Sequence, residues 1–112
     1  MESTRQAKVS RLIQKDIAEL LQFKFKNLAS GTLVTVSGVL ISPDLSFAKI
    51  YLSIFGGDRK LVLTNISDNA KEIRFELGRK IKNQLKFIPE IAFYLDDSLD
   101  QVEKIEKLLK QK

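Results

Sequence analysis

Between Phe47 and Phe55 apolar and polar side chains alternate without a break: Ala48, Ile50, Leu52 and Ile54 fall on one side, Lys49, Tyr51 and Ser53 on the other. A period of two belongs to an extended strand with one buried and one wet face, so this chain must build a sheet and cover one side of it. Upstream, Leu33–Ile41 is dense in Val, Thr and Ile and supplies a partner strand. Gly38 breaks its alternation, which predicts a bulge or bend there. Ser42-Pro43-Asp44-Leu45 joins the two runs, with proline preset for the second turn position and aspartate able to bond its own backbone. The expected product is an antiparallel hairpin.

The cover has to come from the flanks, and these carry the other period. From residue 4 to about 26, Val9, Leu12, Ile13, Ile17, Leu20 and Leu21 recur in steps of three and four, an amphipathic helix with Ser3 or Thr4 as N-cap. Gly56-Gly57 stops the second strand and Asp58 can cap a helix; Val62, Ile66, Ala70, Ile73, Leu77 and Ile81 then keep helical spacing to about residue 85. Asn65, Ser67, Asp68 and Asn69 weaken the middle of this run, because short polar side chains compete for backbone groups. Asn69 followed by Glu72 resembles a capping box. Two helices, or one sharply kinked, are therefore expected to meet near residues 67–71. Pro89 opens a last strand, with Ile91, Phe93 and Leu95 on one side and Glu90, Ala92 and Tyr94 on the other. Asp96-Asp97-Ser98 offers a cap for a short acidic amphipathic helix carrying Leu99, Val102, Ile105, Leu108 and Leu109. The order predicts an α+β fold, a three-stranded sheet covered on one face by helices. At 112 residues the chain makes one domain, its core at about 4–97 and its C-terminal helix at about 98–110.

Composition removes most enzymes. With no cysteine and no histidine, disulfides, zinc–thiolate sites and the commonest nucleophiles and bases drop out together. Asp96 and Asp97 are neighbours on a strand end and point to opposite faces, so they do not flank one substrate atom. Ser37, Ser42 and Ser53 have no histidine to activate them, and Gly56-Gly57 is a loop without the spacing of a phosphate cradle. No catalytic residue, metal ligand or cofactor is assigned. No apolar stretch approaches the ~18 residues of a membrane span, and no leader stands at the start. The expectation is a soluble, cytoplasmic, non-enzymatic protein with no membrane or small-molecule partner.

The chain carries 19 Lys+Arg against 14 Asp+Glu, a net charge of +5. The excess gathers in two places. Residues 71–86 hold six basic side chains against two acidic, and residues 1–26 hold six against three, while the rest is balanced or acidic. On the first helix Arg5, Lys8, Arg11 and Lys15 share one outward strip. On the second segment Lys71, Arg74, Lys82 and Lys86 alternate with the apolar stripe and face away from the core. Gathered cations of this kind suit a polyanion, although a solvated helix face is the plainer reading. A helix starting at the kink adds backbone N–H groups for an anion. Lys49, Tyr51 and Tyr94 share the open sheet face, but two tyrosines without an aromatic-rich strand motif fall short of a base-stacking platform.

At this point the residues carry a resemblance. The hairpin from Val34 to Ser53, with its valine-rich strand, Ser42-Pro43-Asp44-Leu45 turn and Ala48-Lys49 strand, resembles that of bacterial ribosome-binding factor A. So does Ile73-Arg74-Phe75-Glu76-Leu77-Gly78-Arg79-Lys80, followed by the run from Ile88-Pro89-Glu90 to Leu99. The likeness covers about residues 4–109. It implies a type II KH-like domain in the order helix, strand, strand, helix, kink, helix, strand. It also implies a monomeric, cofactor-free assembly factor that binds the small (30S) ribosomal subunit and 16S rRNA late in maturation, near the decoding region. Support for rRNA 5′-end processing and for growth in the cold comes with the same resemblance. KH domains hold the nucleic-acid backbone with a Gly-x-x-Gly loop, and this family replaces it with an Ala-x-Gly kink. That kink falls on Asn69-Ala70-Lys71, so the glycine position carries Lys71 and an Asn69 cap is the expected substitute. The expected RNA contacts are Arg5, Lys8, Arg11, Asn69, Ala70, Lys71, Arg74, Arg79, Lys80, Lys82 and Lys86. The alternatives are a generic KH-type single-stranded RNA binder and a protein-interaction module that meets an acidic partner.

Overall fold

In the computed structural model, which describes residues 3–29 and 31–96, β1 (Leu33–Ile41) and β2 (Phe47–Phe55) form the expected antiparallel hairpin. β3 (Glu90–Leu95) joins parallel to β2, giving the order β1-β2-β3. The helices are α1 (Thr4–Gln22), α2 (Arg59–Asp68) and α3 (Ala70–Ile81). The Asp97-Ser98 cap and the helix expected at 98–110 lie outside the described residues.

The bulge falls where Gly38 predicted it. Val36 pairs with Leu52 and Gly38 with Tyr51, so Ser37 is the extra residue, its hydroxyl donating to the Tyr51 carbonyl at 3.2 Å. One extra residue reverses the facing of everything beyond it. Val34 and Val36 pack on the core before the bulge, and Val39 and Ile41 after it. As an edge strand β1 needs cover. α1 provides it: Gln6 Nε2 donates to the Ile41 carbonyl at 3.1 Å and Gln14 Nε2 to the Val36 carbonyl at 3.2 Å.

At the hairpin tip Asp44 accepts from the Ser42 and Ser46 hydroxyls at 2.8 and 2.7 Å and from the Ser46 N–H at 3.1 Å. These donors, the Ser46 hydroxyl foremost, hold the Asp44 carboxyl below the usual carboxylate range. Leu45 takes a left-handed φ of 62°, a conformation that costs a side-chain-bearing residue about 1–2 kcal/mol, while its side chain packs against the core.

Ala48, Ile50 and Leu52 are fully buried on one sheet face. They meet Ile13 and Ile17 of α1, Val62 and Ile66 of α2, and Ile73, Leu77 and Ile81 of α3. The opposite face carries exposed Leu33, Leu40, Phe55 and Tyr94.

Helix ends depart from the periodicity. α1 stops at Gln22 and hands over to a 3-10 turn at Lys26–Ala29, and α3 stops at Ile81, short of residue 85. Ser3 is the α1 cap and exchanges bonds with Gln6 in a reciprocal capping box (2.9 and 3.1 Å); Asp58 caps α2 through the Leu61 N–H at 3.1 Å. The helices meet at Asn69, within the expected window, but the Asn69–Glu72 capping box does not form. Asn69 Nδ2 instead reaches back to the Asn65 carbonyl at 2.8 Å, and no side chain caps α3. The backbone of Asn69 bends at φ −104° and ψ 14°, in the sparsely allowed bridge region that needs no glycine. Lys71 then sits as an ordinary residue of α3, which is why the glycine position tolerates lysine.

Candidate nucleic-acid interface

α3 buries Ile73, Leu77 and Ile81, and its spacing leaves Lys71, Phe75, Arg79 and Lys82 on another flank. Beyond Lys82 the chain turns back alongside the helix, so Lys86 and Phe87 join that flank. Together they border a groove of about 420 Å³ lined by Arg74, Phe75, Arg79, Lys82, Lys86 and Phe87, with Gly78 and Ile88 also in its wall.

The returning segment is tied by Arg74. Its Nε donates to the Pro89 carbonyl at 2.9 Å and its Nη2 to the Ile88 carbonyl at 2.7 Å, while Glu90 lies 3.7 Å away. One turn on, a Cβ at Gly78 would stand 3.3 Å from Ile88 Cγ1, so the missing side chain admits the same segment. Arg74 therefore directs its charge onto backbone and holds the groove wall.

Two more of the expected cations are engaged. Lys80 pairs with Glu19 of α1 at 2.9 Å, a bond that pulls the Glu19 carboxyl below its usual range and pushes the Lys80 ammonium above its own. Glu76 receives Lys24 at 2.9 Å and Arg79 at 3.4 Å, and the hydrogen bond from Lys24 is the main cause of its lowered pKa. Lys71, Lys82, Lys86 and Arg5 have no ion pair among the described residues. Arg5 lines a neighbouring groove of about 380 Å³ with Arg74 and Lys86, which Asp44 and Glu90 also border. Lys71 borders a third groove with Lys24, Phe25 and Phe75. Lys8 and Arg11 are exposed on α1 and line none of the three; Asn69 and Ala70 are half-buried at the kink.

The structure thus gathers Arg5, Arg74, Arg79, Lys82 and Lys86, sets Lys71 at their margin and turns Lys80 toward α1. Sequence reasoning passed over Phe75 and Phe87, which are 66% and 76% exposed. Their signal was there: both are large aromatics off the stripe of Ile73, Leu77 and Ile81. On the opposite sheet face Tyr51 and Tyr94 lie 5.7 Å apart, with Lys49 Nζ 5.8 Å from the Tyr94 ring, so those rings contact one another away from the basic groove. Among the described residues no helix is long and apolar enough to cross a membrane, and no group of three acidic, His or Cys side chains could hold a metal ion.

Comparison with known proteins places this architecture. The model of the family described as ribosome-binding factor A matches residues 5–109. The ribosome-binding factor A of Cytophaga hutchinsonii is 42% identical over 110 residues, 97% of this chain and 83% of that protein. The crystal structure of the factor from Thermus thermophilus aligns with a TM-score of 0.69 at 21% identity, over 80% of this chain and 94% of its own. A homology model of the Thermus thermophilus factor, fitted into an electron cryomicroscopy map of a 30S complex, aligns at 0.63 and 19% identity, over 87% and 97%. The structural neighbours share the KH-like fold. Matched in sequence along nearly its whole length, the chain belongs to the ribosome-binding factor A family.

Proposed function

We propose that this protein is a monomeric, cytoplasmic assembly factor of the small ribosomal subunit that grips 16S rRNA through the basic flank of α3 and catalyses no reaction. The observation that carries the reading is the groove on that flank, where Lys82 and Lys86 have no acidic partner among the described residues and stand beside Arg79, with Arg5 and Lys71 at its margins. Phosphate contacts of this kind fix position and orientation, while the folded shape of the rRNA supplies recognition. Support for the ribosomal partner comes from the Thermus relative fitted into the map of a 30S complex. The finer role, at a late maturation step that favours rRNA 5′-end processing and growth in the cold, rests on family resemblance.

Sedimentation with immature 30S particles tests it. Replacing Arg79, Lys82 and Lys86 together by Glu should abolish co-sedimentation and leave the circular dichroism spectrum unchanged; Arg74 is kept because it holds the fold. If about four phosphates are neutralised, log affinity should fall with log salt at a slope of roughly −3. Full co-sedimentation of the triple variant would refute this placement of the interface.

A further inference from the structure

We propose that the groove beside α3 takes unpaired nucleotides, seating bases on Phe87 and Phe75 while Lys82 and Lys86 hold the intervening phosphates. This rests on the reading of that flank as an RNA interface and names the kind of RNA it receives. Three observations converge.

First, Phe75 and Phe87 are largely exposed and line the same groove, although the core beneath is already filled by Ile73, Leu77 and Ile81. Second, among the described residues the wall of this groove holds four cations and no carboxylate, whereas Asp44 and Glu90 border one neighbouring groove and Glu72 and Glu76 the other. A partner there has to be anionic and must also offer flat apolar faces. Third, the rings are presented on a fixed support. Arg74 binds the Ile88 and Pro89 carbonyls next to Phe87, Gly78 admits Ile88 against the helix, and Lys86 Nζ stands 5.6 Å from the Phe87 ring centroid.

Single-stranded nucleic acid has this chemistry: phosphates at regular intervals, with base faces free to stack on aromatic side chains. A duplex hides its base faces and would meet only the cations. An acidic peptide would satisfy the charges and leave the rings in water.

The test compares an unpaired oligoribonucleotide of about ten residues with an RNA hairpin duplex, each titrated against the wild type and the Phe75→Ala/Phe87→Ala double variant. Affinity for unpaired RNA should fall about tenfold or more in the double variant, while duplex affinity and the salt slope stay unchanged. Both side chains are exposed, so circular dichroism should show an intact fold. A Phe87→Trp variant should retain affinity, and its fluorescence should be quenched as a base stacks. Equal affinity of wild type and double variant for unpaired RNA overturns the proposal, as does an equal loss on the duplex. If the wild type binds immature subunits but not the unpaired oligonucleotide, stacking falls and the assembly-factor reading stands. If it binds neither, both fall.

Discussion

Arg74 shows how little a residue's charge says about what it holds. Its neighbours in the basic segment face water, yet its guanidinium forks across two carbonyls, 14 and 15 residues further along the chain. A planar fork can make both bonds and a lysine ammonium fits only one well, so the swap is not conservative here. Arg74→Lys should lower stability by roughly 1–3 kcal/mol in denaturant unfolding, the scale of a lost hydrogen bond to a charged group. An unchanged midpoint would remove the tie. Nothing local could have revealed it: a carbonyl acceptor has no residue type, and the pairing spans a turn absent from any periodic pattern. Lys80 was hidden similarly, since its partner Glu19 lies 61 residues away. Phe75 and Phe87 were legible as misfits on the stripe, and what they lacked was a view of the groove.

Among the elements, the bulge makes the strongest claim. Without the bulge the strand would alternate by residue number and turn Val39 and Ile41 off the core that Val34 and Val36 face, whereas deleting Ser37 leaves a plain strand with all four on one face. The deletion should therefore leave the denaturation midpoint nearly unchanged; a drop matching the roughly 3–6 kcal/mol at stake in two buried aliphatic side chains would show that β1 needs the bulge itself and not only the facing it sets. Such a loss is a large part of what a domain this size possesses. The strands, the bulge and the kink were all readable because each leaves a mark on hydrophobic spacing. Helix ends were not, and two residues explain why. Phe25 is buried beyond the end of α1, and Leu85 packs on the core beyond the end of α3, so both extend the apolar pattern after the helices have stopped. Spacing reports which side chains go inside, while dihedral angles decide where a helix ends. The Asn69 bend had a visible cause in its polar neighbourhood but not a visible geometry, because the same side chain can cap forward or bond backward.

For the whole molecule, the pH dependence that the described residues carry follows from three carboxyls. Asp44, Glu19 and Glu76 are held below their ordinary range by the Ser46 hydroxyl, Lys80 and Lys24 respectively. A group whose folded pKa is depressed stabilises the fold above its unfolded value, and that contribution disappears as pH falls through the folded one. Lys80 is raised, so its contribution is complete at neutral pH and is lost only at strongly alkaline pH. With no histidine and no cysteine in the chain, no side chain has its ordinary range near neutrality. Thermal midpoints should therefore be level between about pH 6 and 8 and drop on acidification below the carboxylate range; a step near neutrality would contradict this ionic arrangement. The same pairing has a consequence for motion in solution. Among the described residues Glu19 answers Lys80 and Glu76 answers Lys24, while Lys82 and Lys86 go unanswered, so their charge is lopsided. A lopsided body near a large polyanion feels a torque before it makes contact, and it swings its unanswered side to the front. Speed of capture, as well as grip, is then set by where the anions of this chain are not.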